Sequence, residues 1–145
     1  MTRRASCFTL FLVLAACGSG EAEPDAGFVA SCMKSEALQT LTSQTGIYTF
    51  YLCTAAAPAV GFNNFTYLVT DQSGAPQDGL TLAVQPWMPY MGHGSPGNGD
   101  ATVTPTDAGQ YQISNVVFQM AGEWQLRTTV SAPTPDSANP QFNIN

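Results

Sequence analysis

The chain has 145 residues, room for one domain of ordinary size and, once a leader is removed, not for two. Its formal net charge is −6, from four Lys and Arg against ten Asp and Glu, and so sparse a set of cations argues against a nucleic-acid partner, which would need clustered Lys and Arg to neutralise phosphates. Charged residues make up only 10 % of the chain, while Gly, Pro, Thr, Ser, Asn and Gln are plentiful, a composition that suits short strands joined by turns.

The N-terminus reads as a signal peptide over residues 1–16. Arg3 and Arg4 supply a positive start, and Phe8, Leu10, Phe11, Leu12, Val13 and Leu14 form an apolar stretch too short to span a bilayer. It ends in Leu14-Ala15-Ala16-Cys17, which resembles the lipobox of bacterial lipoproteins, where the cysteine thiol is acylated and becomes the first residue. The alternative is an ordinary small-residue cleavage site followed by an incidental cysteine. Acylation of Cys17 would make a membrane the first partner, through a stable anchor. Without Arg3 and Arg4 the mature chain keeps Lys34 and Arg127 against ten carboxylates.

Residues 17–30 read as the acylated Cys17 and a flexible acidic linker, because Gly18 to Gly27 is a run of Gly, Ser, Ala, Glu, Pro and Asp without apolar periodicity. Gly18 after the cysteine favours outer-membrane sorting where enterobacterial rules hold. The folded domain is placed at residues 31–145. Cys7 leaves with the leader and Cys17 is acylated, so Cys32 and Cys53 remain in an oxidising compartment and are expected to pair. Their spacing is not that of a zinc site.

Ser31 to Leu41 has room for one helical turn and no more. Strands are expected at Ile47 to Thr54 and at Phe62 to Thr70, the latter with Phe65, Tyr67 and Val69 on one face. Asp71 to Gly74 then turns the chain. Leu80, Leu82 and Val84 alternate with polar neighbours in a third strand, expected to stop at Pro86 and Pro89 because proline donates nothing to a ladder. The next segment is read as loop. Ala101 to Thr104 is a short edge strand and Gln110 to Phe118 a longer one. Trp124, Leu126, Thr128 and Val130 mark one face of another, and Gln141 to Ile144 closes the set.

This pattern predicts an all-β, immunoglobulin-like antiparallel β-sandwich of about seven strands. Asp107-Ala108-Gly109-Gln110-Tyr111 sharpens it, since an Asp-x-Gly-x-Tyr corner lets a tyrosine hydroxyl bond to upstream backbone. The bland alternative is a turn followed by a strand aromatic.

Chemistry concentrates in Trp87-Met88-Pro89-Tyr90-Met91-Gly92-His93-Gly94, where the only histidine lies within five residues of two methionines. Thioethers and imidazole suit Cu(I), and thioethers survive where thiols would be oxidised. Met120, before the turn at Gly122, would approach this loop if the two connections share one end of the sandwich. The alternatives are a solvated His93, Met88 and Met91 packed on Trp87 and Tyr90, and Met120 as core filler.

The order Gly61-Phe62-Asn63-Asn64-Phe65, Val69 to Pro76, the Met-Pro-x-Met-x-His loop, Tyr111, and Met120-Ala121-Gly122-Glu123-Trp124-Gln125-Leu126 resembles the YtkA-like and FixH-like domains, over about Gly46 to Ile144. The resemblance implies an extracytoplasmic, immunoglobulin-like, envelope-anchored domain. FixH-like members are associated with copper supply to cytochrome oxidase, and sandwich proteins of the CopC type carry copper between proteins. Carried over, this points to Met88, Met91, His93 and Met120 as metal ligands, to Cu(I) as the cofactor, and to a protein that donates or receives copper as partner. The chain departs from FixH proteins in having a lipid anchor where they have a membrane-spanning helix.

Three function classes remain. The first is a lipid-anchored copper-binding lipoprotein at the periplasmic face of the envelope or on the outer membrane. The second is a metal-free interaction module docking through Trp87, Tyr90 and the methionines. An enzyme ranks last: there is no second histidine, no thiol free of the expected disulfide, and no serine in a nucleophile motif, while Asp100 and Asp107 alone make no acid-base pair.

Overall fold

A computed structural model describes residues 27–95 and 99–145. The leader and Cys17 lie outside the described residues. Ten strands form two antiparallel sheets: β1 (Gln39–Thr42), β2 (Tyr48–Cys53), β3 (Gly61–Asp71), β4 (Thr81–Met88), β5 (His93–Gly94), β6 (Thr102–Pro105), β7 (Gln110–Phe118), β8 (Gly122–Ala132), β9 (Asp136–Ala138) and β10 (Gln141–Ile144). One sheet runs β1-β2-β3-β7-β6; the other runs β10-β8-β4-β5, with β9 also pairing β8. The fold is a β-sandwich, with ten strands in place of the expected seven. A single 3-10 turn, Lys34–Glu36, is the only helical piece among the described residues.

The three strands that sequence reading leaves out are β1, β5 and β9, of four, two and three residues. β5 and β9 are too short to show an apolar alternation and β1 has one apolar residue, Leu41, so each shows only through the neighbour that supplies its ladder. The end expected at Pro86 is also corrected, because β4 continues through it to Met88. The carbonyl of Val84 accepts from Ala101 N at 2.9 Å, on the side away from β8. Pro86, two residues on, faces the same way, so its missing N–H costs β8 no hydrogen bond. Pro89 does lie beyond the end of the strand.

Alternation places the core as expected. Phe65, Tyr67 and Val69 from β3 are buried against Trp124, Leu126, Thr128 and Val130 from β8. Between the sheets, the Tyr67 hydroxyl and Thr128 Oγ1 hydrogen-bond at 2.8 Å, which satisfies two polar atoms in an apolar interior. Burial holds the Tyr67 phenol well above its ordinary pKa, with the Thr128 bond opposing weakly, so it stays neutral.

The Tyr111 hydroxyl donates to Gln77 O at 2.7 Å and accepts from Leu80 N at 3.0 Å. It does bond upstream backbone, but on the β3–β4 connection rather than within its own corner. Cys32 and Cys53 are joined by a disulfide. The bridge pins the chain before β1 over the outer face of the first sheet, where Val29, Ala37, Leu68 and Tyr51 pack around it.

Register defines two unlike ends. At one end β3 begins, β7 stops, β8 begins and β4 stops, as the pairings Gly61↔Phe118, Ile144↔Gly122 and Met88↔His93 require. The core beneath this end is aromatic: Phe65 and Phe142 rings lie 5.3 Å apart, and Phe118 and Trp124 rings also 5.3 Å. The opposite end carries the Asp71 turn, the β6–β7 turn and the β8–β9 turn.

Candidate functional site

The candidate residues all lie at the aromatic-floored end. Met88 is the last residue of β4 and His93 the first of β5, and the two are direct register partners. Opposed residues of an antiparallel pair project from the same face with Cβ atoms about 4.5–5.5 Å apart, so the thioether and the imidazole start from one side of the hairpin. Trp87 pairs with Gly94 and points to the other face. There the Arg127 guanidinium stacks on its ring, 3.9 Å from the centroid.

Four residues, Pro89 to Gly92, connect the two strands. Gly92 N donates to Met88 O at 2.9 Å, and Gly92 adopts φ 68, a left-handed conformation that glycine takes without strain. The loop tip leaves Tyr90 85 % and Met91 59 % exposed, whereas Met88 is buried as part of the core.

His93 is half-buried, and its Nδ1 lies 2.7 Å from Gly94 O. A carbonyl oxygen can only accept, so Nδ1 carries the hydrogen, and Nε2 is the nitrogen left to bind a metal or a donor. This is the arrangement in which a histidine is oriented for a metal or a proton donor.

Met120 sits on the β7–β8 turn at this same end, the condition under which it can approach the loop. Trp124 Nε1 donates to Met120 O at 3.0 Å, which holds the turn while its side chain stays 44 % exposed. The strand ends beside the two connections touch: a Cβ placed on Gly122, the first residue of β8, would meet Cε of Met88, the last of β4, at 2.9 Å. Met88, His93 and the Met120 turn are therefore neighbours, with Met91 displayed at the loop tip.

Sequence reasoning missed the wall opposite the histidine. An open cleft of about 300 Å3 is lined by His93, Gly94, Ser95, Gln85, Gly99 and Asp100. Gln85 Nε2 donates to Asp100 Oδ1 at 3.1 Å, so this carboxylate is held beside the site. Asp107 lies instead in the β6–β7 turn at the far end. The available signal for Asp100 was proximity in sequence, which applies equally to Asp107 and does not separate the two. Among the described residues no group of three or more His, Cys, Asp and Glu side chains comes together.

The YtkA-like family model matches residues 42–129, from the last residue of β1 into β8, and so includes the whole hairpin and Met120. No curated protein and no solved structure matches the chain.

Proposed function

The chain belongs to the YtkA-like family, and from that premise we propose that it is a membrane-anchored extracytoplasmic lipoprotein that holds or transfers Cu(I) through Met88, Met91, His93 and Met120. The observation that carries this reading is the register pairing of Met88 with His93 on a four-residue hairpin. One imidazole and several thioethers form a soft donor set that favours Cu(I) over Zn(II). The exposure of Met91 and Met120 supports metal exchange with a partner protein, since a ligand already at the surface can be traded without opening the core. Lipidation at Cys17 supplies the anchor in this reading.

A competition titration against a Cu(I) chelator tests it. The protein should bind one Cu(I), and His93→Ala should weaken binding at least tenfold. Met→Leu changes at 88, 91 and 120 remove sulfur while keeping volume, so affinity lost without loss of folding marks a ligand. Acidification should weaken the His93 contribution and spare the thioethers. Equal affinity in the wild type and in a variant lacking Met88, Met91 and His93 would eliminate the site. The exposure of Tyr90 then favours the second reading, a metal-free interaction module.

A further inference from the structure

Seven large apolar side chains are exposed among the described residues, and five of them, Val60, Phe62, Tyr90, Met91 and Met120, gather at one end. Val60 and Phe62 come from the start of β3, Tyr90 and Met91 from the β4–β5 hairpin, and Met120 from the β7–β8 turn. Phe62 is 77 % and Tyr90 85 % exposed. The loop before β3 is not loose, for Asn63 accepts from Ala59 N at 2.9 Å and donates to Ala59 O at 2.8 Å. Five exposed apolar side chains carried on short connections at one end mark an interaction surface.

Two further observations say which occupant. The first is where the lipid-bearing segment joins the domain. Gly27 packs on Asn64, since a Cβ there would lie 2.7 Å from Asn64 Nδ2, and with Phe62 it lines one depression at the apolar end. Nine residues lie between Cys17 and Gly27, and the ten steps give a covalent reach of at most about 35 Å. The 11 residues of β3 alone extend about 33 Å along the sandwich. The apolar end can therefore reach an anchoring bilayer at any extension of that segment, and the far end only when the segment is almost fully extended.

The second observation is charge. Of the seven carboxylates in residues 27–145, Asp71, Asp78, Asp107 and Asp136 belong to the opposite end. Asp100 and Glu123 lie at the hairpin end, while Lys34 sits on Gly74 O beside the Asp71 turn, so the opposite end is the more charged and the costlier one to bring to a lipid headgroup layer. Phenylalanine, tyrosine and methionine at the other end suit the boundary between headgroups and acyl chains.

We propose that the rim of Val60, Phe62, Tyr90, Met91 and Met120 lies against the bilayer that holds the Cys17 lipid, so that the domain stands on its hairpin end with its acidic end away from the membrane. The proposal rests on lipidation of Cys17, not on copper binding. It deepens the functional reading in one respect: a hairpin held at the membrane surface exchanges its cargo with a partner embedded in, or resting on, the same membrane.

The test uses the full lipidated protein in phosphatidylcholine vesicles that carry a headgroup spin label. A fluorophore is attached in turn at Ala57→Cys beside the rim and at Ala75→Cys in the acidic-end turn. Quenching at position 57 should exceed that at position 75 several-fold, and Phe62→Ser with Tyr90→Ser should bring the ratio towards one. Both side chains are exposed, so the double variant keeps the fold. Fatty-acid labelling that is lost in Cys17→Ser checks the anchor separately. Absence of that label removes the anchor and the proposal with it. Label present with equal quenching at both positions, or a ratio untouched by the double variant, overturns the proposal alone, and stronger quenching at position 75 would leave the rim free for a protein.

Discussion

Asp136 shows how much a single side chain organises at the acidic end. Its carboxylate accepts from Thr45 N at 3.0 Å, Thr45 Oγ1 at 2.7 Å and Ser137 N at 2.8 Å, tying β9 to the β1–β2 turn. Burial pushes its pKa up, but the hydrogen bonds from Ser43, Thr45 and Ser137 outweigh this and bring it down to about 2. A folded value below the unfolded one, about 3.9, means that the stabilisation is complete at neutral pH and disappears as pH falls through about 2. Asp136→Asn should therefore cost about 1–3 kcal/mol at pH 7, because the amide keeps one acceptor and brings N–H groups where only donors converge. Melting curves of the two proteins should draw together between pH 4 and pH 2. A gap that persists unchanged to the lowest pH would show that the carboxylate's charge is not what stabilises the turn.

At the scale of elements, β4 and the β6–β7 corner make opposite claims about backbone. Pro86 faces away from β8, so Pro86→Ala restores an N–H that the β4–β8 ladder does not need, and denaturant titration should show a change within about 1 kcal/mol. A loss of several kcal/mol would mean that the ring itself packs the edge. Gly109 has no such latitude. It adopts φ 71, and a Cβ there would lie 2.7 Å from Val69 O and 2.8 Å from Gln77 N, both backbone atoms. Its N–H also donates to Asp78 Oδ1 at 2.6 Å. Gly109→Ala should cost about 1–3 kcal/mol or more and should disturb the Tyr111 hydroxyl bonds next to it. Wild-type stability in that variant would refute the close approach of the corner to β3.

For the molecule as a whole, the disulfide decides how the first sheet is covered. Leu68 and Thr66 point to the outer face of that sheet, yet both are buried. With a sequence separation of 21 between its cysteines, the bridge should contribute roughly 3 kcal/mol by the chain-entropy account. Reduction should lower the urea midpoint accordingly and speed hydrogen exchange around Leu68 as the chain before β1 lifts away. Identical unfolding curves with and without reductant would show that packing alone holds that segment.

Much of the fold is legible in local pattern because burial on a pleated strand repeats every second residue. Phe65, Tyr67 and Val69, and Trp124 to Val130, declare their faces in one dimension. The Met-His loop is legible for a similar reason, since its ligand types are adjacent in the chain. What tertiary structure alone decided is everything set by a partner strand. The existence of β1, β5 and β9 and the passage of β4 through Pro86 follow from hydrogen bonds offered by neighbours. So does the sorting of Asp100 into the His93 cleft and of Asp107 to the far end. Register, which no local alternation encodes, also brought positions 60, 62, 90, 91 and 120 to a single rim.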